Sequence, residues 1–124
     1  MPSRRIDLSA DAAEEYMALD QSVRAEVIKA IEKLRVDPTA YGKPLGARAG
    51  LNLFGLWSIE AAGRRLRVIY AVSMPDGDVL VHVIGRRDKF AAHRTAQERI
   101  RAFTEATEME LRAWDEIRTA SGQP

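Results

Sequence analysis

Five arginines lie at the ends of two predicted strands near the middle of this chain. The first strand begins with Arg64, Arg65 and Arg67, and the second is followed by Arg86 and Arg87. Guanidinium groups repel one another unless an anion lies between them, so gathering five around one small sheet carries a free-energy cost. The cluster therefore indicates a site that binds phosphate.

The predicted register of the first hairpin places other polar groups beside these arginines. If a four-residue loop at positions 61–64 joins the strands, Glu60 faces Arg65 and Ser58 faces Arg67. Side chains alternate along a strand with a period of two, so all four share one face of the sheet. The apolar residues between them lie on the other face, where helices can cover them.

One imidazole and two further arginines border the same predicted face. Arg86 and Arg87 lie just past the neighbouring strand and can reach the rim of the face. His93 lies about two turns into the helix that follows. We therefore expect His93 to lean over the same cleft.

Such a set of side chains supports cleavage of RNA without a metal ion. The 2′-hydroxyl attacks the adjacent phosphate, and Arg67 and Arg87 would stabilise the extra charge of the phosphorane. Glu60 is the candidate base that accepts the hydroxyl proton, and His93 is the candidate acid that protonates the departing 5′-oxygen. Further cations would contact the sugar–phosphate backbone: Lys43, Arg65, Arg86 and Lys89.

Several of these residues also have structural interpretations. Glu60 and Arg65 could form an ordinary cross-strand ion pair, and His93 could be a solvated helix residue. Lys43 lies in a glycine-rich segment and could be a simple loop charge. His82 has apolar neighbours in mid-strand, which favours a structural role. Arg67 is flanked by apolar residues in a central strand and needs an anion or an acidic partner, which favours function.

Composition excludes several classes of protein. The 124 residues include no cysteine and two histidines, so we expect neither a disulfide framework, a metal site nor a cofactor. No apolar run approaches the ~20 residues of a membrane span, and the N-terminus lacks a signal-peptide core, so we expect a cytoplasmic protein. The net charge is +1, yet residues 42–101 hold 11 Lys/Arg against 5 Asp/Glu. That uneven distribution indicates a polyanion-binding surface confined to part of the fold.

The periodicity predicts an α+β domain in which an N-terminal helical hairpin packs on a small antiparallel sheet. Helix 23–36 has apolar residues at spacings of three and four and ends at Asp37-Pro38. The predicted elements are a strand at 4–8, helices at 10–19 and 23–36, a loop at 41–50, and strands at 51–60, 66–73 and 79–85.

The chain from Arg86 to Ser121 contains neither glycine nor proline, which predicts one long helix or two helices with a slight break. A continuous helix would be ~50 Å long and would overhang the domain. Its apolar residues, Trp114 and Ile117 among them, could pack back on the domain, pair with a second copy in a homodimer, or dock a partner. We assign residues 1–100 to the domain and 101–124 to a C-terminal helical extension of it.

The order of these elements, together with five short motifs, resembles the RelE/ParE toxins of bacterial type II toxin–antitoxin systems. The likeness covers roughly residues 4–100. The motifs are Asp37-Pro38, Gly42-Lys43-Pro44-Leu45, Gly55-Leu56-Trp57, Leu66-Arg67-Val68-Ile69-Tyr70 and Gly85-Arg86-Arg87.

The resemblance implies a compact toxin that a co-expressed antitoxin wraps and neutralises. RelE-type members cut mRNA on the ribosome without a metal, whereas ParE-type members inhibit DNA gyrase. Arg67 and Arg87 match the phosphate-binding arginines of the RelE type, and His93 falls where RelE carries a catalytic tyrosine. The chain departs from the RelE pattern at Ser58 and Glu60, where that type has two lysines.

We therefore expect a RelE-like toxin that cleaves mRNA on the ribosome and has no membrane partner. Two alternatives stay open. A ParE-like gyrase inhibitor would bind its target without catalysis, and an inactive scaffold would only pair with its antitoxin.

Overall fold

A computed structural model of the chain describes residues 4–48, 51–73, 77–86, 91–105 and 111–120. The described residues form a mixed α+β fold with a six-stranded sheet. Its elements, in chain order, are β1 (Ile6–Ser9), α1 (Ala10–Met17), α2 (Gln21–Val36), α3 (Pro38–Tyr41), β2 (Lys43–Arg48), β3 (Leu51–Ala61), β4 (Leu66–Val72), β5 (Val79–Arg86), α4 (Ala91–Glu105), β6 (Leu111–Ala113) and α5 (Trp114–Ala120).

The sheet has the strand order β2-β3-β4-β5-β1-β6. Strands β2 to β5 pair antiparallel in sequence order, so the meander predicted from the short connections is confirmed. Strand β1 adds to β5 in the parallel direction, and β6 pairs antiparallel with β1. The two ends of the described chain therefore meet at one edge of the sheet.

Helices α1 and α2 contribute to the core on one face of the sheet. Helix α1 begins at Ala10 because the Ser9 hydroxyl accepts a hydrogen bond from the Ala12 amide at 3.1 Å. Helix α2 buries Val27 and Ile31 at a spacing of four residues, as its apolar stripe predicts. These side chains pack with the strand residues predicted to face the helices: Ile59, Leu66, Val68, Tyr70 and, half-buried, Trp57.

Helix α4 packs on the opposite face of the sheet. Its Ala92 and Ala96 form a second, smaller core with Leu56, Ile69 and Val83. The face that was predicted to be open is therefore partly covered, because small alanine side chains let the helix approach the strands closely.

An ion pair fixes α4 to the rest of the fold. Both terminal nitrogens of Arg99 donate to the Glu15 carboxylate, at 2.9 and 3.0 Å, and Nη1 also donates to the His82 carbonyl at 2.6 Å. The same Glu15 carboxylate accepts from the Ile84 amide. One guanidinium thus joins α4, α1 and β5 through charge-assisted hydrogen bonds.

The predicted long C-terminal helix is replaced by α4, the short strand β6 and α5 among the described residues. Pairing of β6 with β1 turns the chain back, so that the fully buried Trp114 ring meets Tyr16 edge-on at 5.1 Å between centroids. Asp115 of α5 accepts from Arg35 of α2 at 2.8 Å. Trp114 and Ile117 therefore pack back on the domain, which is one of the three arrangements considered.

The segment predicted as a loop at 41–50 also contains regular structure. The Asp37 carboxylate caps the short helix α3 by accepting from the Thr39 and Ala40 amides at 3.2 and 3.1 Å. Strand β2 follows as the edge strand, where Pro44 can be accommodated because an edge strand leaves one row of backbone groups outside the ladder. Pro44 and Gly46, which helped to indicate a loop, instead belong to an irregular edge strand.

No helix among the described residues is both long enough and apolar enough to cross a membrane.

Replacing the buried indole should loosen the returning C-terminal segment. We expect Trp114→Ala to lower the free energy of unfolding by about 3–5 kcal/mol, because it removes a large buried side chain from the core. Urea-induced unfolding followed by circular dichroism measures the change. Leu111→Ala in the same segment, at an exposed position, should stay within about 0.5 kcal/mol. Equal effects of the two substitutions would contradict this packing.

Burial of His82 should make stability depend on pH. Burial, with a smaller effect of Arg99, lowers the pKa of His82 from 6.5 to about 4. The unfolded chain therefore takes up this proton at a higher pH than the folded protein does, and the stabilisation is lost as the pH falls from about 6.5 to about 4. The loss should reach roughly 3 kcal/mol. In His82→Leu, the free energy of unfolding should vary less between pH 7 and 4 than in the wild type. An equal dependence on pH in both proteins would contradict the role of His82.

Candidate functional site

The candidate site is built on the pairing of β3 with β4. Glu60 lies opposite Arg67, so the predicted pair of Glu60 with Arg65 is wrong. The turn begins one residue later than predicted, since Ala62 and Arg64 both adopt positive φ and the Arg65 amide bonds to the Ala62 carbonyl at 3.2 Å. The register therefore shifts by two residues, which leaves Ser58, Glu60 and Arg67 on their predicted face.

A cleft of about 590 Å³ opens beside this pair. It lies where β2, β3 and β4 meet the start of α4 and the short helix α3. Its lining contains four cations and one carboxylate, with polar and apolar neighbours: Lys33, Lys43, Arg64, Arg67, Glu60, His93, Tyr41, Ser58, Leu45 and Ile59. The excess of positive charge suits a polyanion.

Arg67 contacts His93 in the depth of the cleft. Its Nη1 atom lies 3.2 Å from Nδ1 and 3.1 Å from Nε2 of the imidazole. Because a guanidinium only donates, the ring nitrogen that accepts carries no proton in this arrangement. The Arg67 side chain is 17% exposed and His93 is 1% exposed, so His93 is not the solvated helix residue that was considered.

Glu60 lies between two guanidinium groups. Its Oε1 is 4.0 Å from Nη2 of Arg67, and its Oε2 is 3.2 Å from Nε of Arg64. Arg64 is 78% exposed, so its own pair with Glu60 contributes little to stability. The carboxylate is held at the cleft surface within reach of solvent.

A close contact between Tyr70 and the segment around α3 positions the outer wall of the cleft. The Tyr70 hydroxyl donates to the Pro38 carbonyl at 2.6 Å and thereby ties α3 to the sheet. Burial, with the nearby Asp37 carboxylate, raises the pKa of Tyr70, so the hydroxyl keeps the proton that it donates. A Cβ atom at Gly42 would overlap that hydroxyl. Glycine is therefore required here, and Lys43 next to it lies opposite Ser58 in the ladder.

Sequence reasoning missed two residues of the cleft and gave a third no specific role. Lys33 was not considered, Tyr41 was placed at the start of a loop, and Arg64 was counted in the arginine cluster without a role of its own. The Lys33 ammonium lies 5.9 Å from the centroid of the Tyr41 ring. The signal for Tyr41 was the Asp37-Pro38 pair, since aspartate before proline is a typical helix start as well as a helix stop.

Two predicted backbone contacts lie apart from this cleft. Arg65 and Arg86 line a second cleft of about 680 Å³ with an apolar floor that includes Leu19 and Val23. Arg64 borders both clefts. The expectation that Arg65 shares a face with Arg67 is therefore corrected, because Arg65 belongs to the turn, where its Nε donates to a backbone carbonyl.

The remaining predicted site residues, Arg87 and Lys89, lie outside the described residues. Within the described ranges, no three His, Asp or Glu side chains converge in a way that could hold a metal ion.

Comparisons with known proteins identify the fold. No family model matches the sequence, and no curated protein matches it significantly. A variant of RelE from Escherichia coli in the free state superposes with a TM-score of 0.60 at 20% identity, over 80% of this chain and 99% of that one. A chain of the RelBE2 toxin–antitoxin complex of Mycobacterium tuberculosis superposes with a TM-score of 0.57 at 23% identity, over 70% of this chain and 100% of that one.

The chain has the RelE fold. An archaeal example, from the RelE–RelB complex of Pyrococcus horikoshii, matches with a TM-score of 0.54 at 15% identity, over 71% of this chain and 99% of that chain. At these identities the likeness is one of fold. The RelE fold is matched over nearly its whole length, and a fifth or more of the present chain lies beyond the match.

The contact between Gly42 and Tyr70 can be tested by a double-mutant cycle. Gly42→Ala should lower the free energy of unfolding by about 1–3 kcal/mol, because the added methyl group overlaps the Tyr70 hydroxyl. Tyr70→Phe alone should cost about 0.5–1.5 kcal/mol through the lost hydrogen bond to Pro38. The double variant should lose less free energy of unfolding than the two single losses added together. Additivity within about 0.5 kcal/mol would contradict the contact.

Proposed function

We propose that this chain is the toxin of a type II toxin–antitoxin system and cleaves mRNA on the ribosome without a metal ion. The observation that carries the proposal is the convergence of Arg67, Glu60 and His93 in a cationic cleft of a RelE fold. The cleft combines a desolvated guanidinium, a carboxylate and an imidazole, which are the three groups that cleavage by an internal hydroxyl requires.

The cations would first bind the RNA backbone. Arg67 would hold the scissile phosphate. Because its side chain is largely withdrawn from water, solvent screens its charge only weakly. Arg64 and Lys43 at the cleft walls would contact neighbouring phosphates. Arg87, which directly follows β5 in the sequence, would be a second ligand of the scissile phosphate. The pentacoordinate transition state carries more charge than the ground state, so these cations favour it.

Proton transfer would follow from the other two groups. The 2′-oxygen attacks phosphorus, its proton passes to Glu60, and the bond from phosphorus to the 5′-oxygen breaks. A protonated His93 would supply the proton of the departing 5′-oxygen, which leaves a 2′,3′-cyclic phosphate and a 5′-hydroxyl. In the structure the His93 ring accepts from Arg67. A phosphate that recruits the Arg67 N–H groups would release a ring nitrogen to take up the proton.

A cognate antitoxin would be the protein partner. The relatives from Mycobacterium tuberculosis and Pyrococcus horikoshii are toxin–antitoxin complexes, RelBE2 and RelE–RelB. The central segment of the present chain has an excess of six positive charges, which an acidic partner would complement. The second cleft, with Arg65 and Arg86 around apolar residues, offers such a partner both charge and apolar surface.

Inducible expression followed by mapping of mRNA 5′ ends tests the proposal. Wild-type protein should arrest growth and produce new 5′ ends, and Arg67→Ala should reduce their formation by about 10²-fold or more. Glu60→Gln and His93→Gln should leave residual cleavage, because each removes one contribution of ~10²–10⁴-fold. Arg5→Ala is the matched control, since Arg5 is an exposed arginine outside the cleft.

Two other outcomes would replace the proposal. Intact transcripts together with gyrase-dependent DNA breaks would identify a gyrase inhibitor. A wild-type protein without any effect on growth would indicate a scaffold that only binds its antitoxin. Cleavage that persists in Arg67→Ala at the wild-type rate would contradict the site.

A further inference from the structure

Tyr41 exposes an aromatic ring at the wall of the cationic cleft. The residue is 51% exposed, although a tyrosine ring is large enough to favour burial. It lines the same cleft as Arg67 and Lys43. None of the chemistry above uses this ring, and it belongs to neither of the two hydrophobic cores of the described fold.

The local structure anchors the backbone that carries the ring. Tyr41 is the last residue of α3, whose first turn is capped by Asp37 and whose Pro38 carbonyl is bonded by Tyr70. The next residue, Gly42, lies against that same hydroxyl. A ring on so short and so strongly anchored a helix is preorganised, and preorganisation reduces the entropy cost of binding.

Two lysines accompany the ring: one lies near it in space, and the other follows it in sequence and lines the same cleft. Lys33 places its ammonium 5.9 Å from the ring centroid, and Lys43 follows two residues later at the start of β2. An aromatic ring beside cations in an open groove is the combination by which proteins bind unpaired nucleic acid: the cations bind the backbone and the ring stacks on a base.

We propose that Tyr41 is a stacking platform for an unpaired nucleobase next to the phosphate held by Arg67. This inference rests on the proposed function, and it adds a base-binding subsite to the phosphate site. The base would stack on the face of the ring away from Lys33, and the Lys33 ammonium would reinforce the ring through a cation–π contact. Stacking tolerates every base, so the subsite positions the strand rather than selecting its sequence.

A protein partner is a less suitable occupant of this position. The two leucine-sized residues of the cleft, Leu45 and Ile59, are 7% and 9% exposed and offer a peptide little apolar surface. The second cleft provides the apolar floor that a peptide side chain would need. The ring of Tyr41 is the large apolar surface available in the first cleft, and its flat faces suit a base.

Binding of a short single-stranded RNA with 2′-O-methyl groups tests the inference, because this RNA cannot be cleaved through the 2′-hydroxyl. Tyr41→Leu should weaken binding by between about five- and 150-fold, whereas Tyr41→Phe, which keeps the ring, should stay within about twofold. Fluorescence anisotropy of a labelled hexanucleotide measures both. Met17→Ala, at an exposed position outside the cleft, should bind as the wild type does.

An RNA with a single abasic position separates stacking from a general loss of affinity. Wild-type protein should bind the abasic RNA more weakly than the intact RNA when the abasic position falls at the subsite. Tyr41→Leu should bind the abasic and the intact RNA equally. The dependence of affinity on salt should be the same for wild type and Tyr41→Leu, because the number of phosphate contacts is unchanged. A reduced salt dependence in Tyr41→Leu would contradict a stacking role.

The outcomes distinguish failure of this inference from failure of the proposed function. If Tyr41→Leu binds RNA as tightly as wild type and cleaves transcripts normally, the base subsite is wrong and the nuclease proposal stands. The same holds if Tyr41→Leu keeps RNA binding but loses binding of the antitoxin, which would assign the ring to a protein interface. If wild-type protein neither binds single-stranded RNA nor cleaves transcripts, both proposals fail.

Discussion

The site depends on a guanidinium that is withdrawn from water on a sheet face. Arg67 points to the same side of β4 as Ile69, where α4 covers the strands, and its side chain is 17% exposed. A charge in such a position is costly unless other groups compensate it. Glu60 on the neighbouring strand and His93 at the start of α4 provide that compensation in the structure. A phosphate can provide more, because its oxygens accept several N–H groups at once.

The rest of the fold keeps that arrangement in place from two sides. The pair of Arg99 with Glu15 anchors α4, so that His93 stays above the sheet. The contact of Tyr70 with α3 sets the opposite wall, which carries Tyr41 and Lys43. Anchored elements on both sides leave the cleft between them. The returning C-terminal segment packs elsewhere, on β1 and α2.

The sequence predicted the meander and the faces of its strands, because alternation with a period of two is a strong local signal. It therefore placed Glu60 and Arg67 on one side even though the register was two residues off. The register itself depended on the turn, where positive φ at Ala62 and Arg64 is not encoded by the usual glycine and asparagine pattern. The C-terminal strand was missed because three residues at an edge carry no periodicity, and only the pairing with β1 defines them. Tyr41 was missed for a similar reason: its exposure follows from the tertiary contact of Tyr70 with Pro38.

The proposed function requires that Arg67 binds an RNA phosphate and in doing so frees the His93 ring. Nitrogen-15 NMR of the guanidinium and imidazole groups, recorded during titration with a 2′-O-methylated dinucleotide, measures this directly. We expect the resonances of Arg67 and His93 to shift together and saturate at the same concentration of dinucleotide, while Arg65 in the second cleft stays unchanged. Shifts confined to Arg65 and Arg86, with Arg67 and His93 unaffected, would contradict the account.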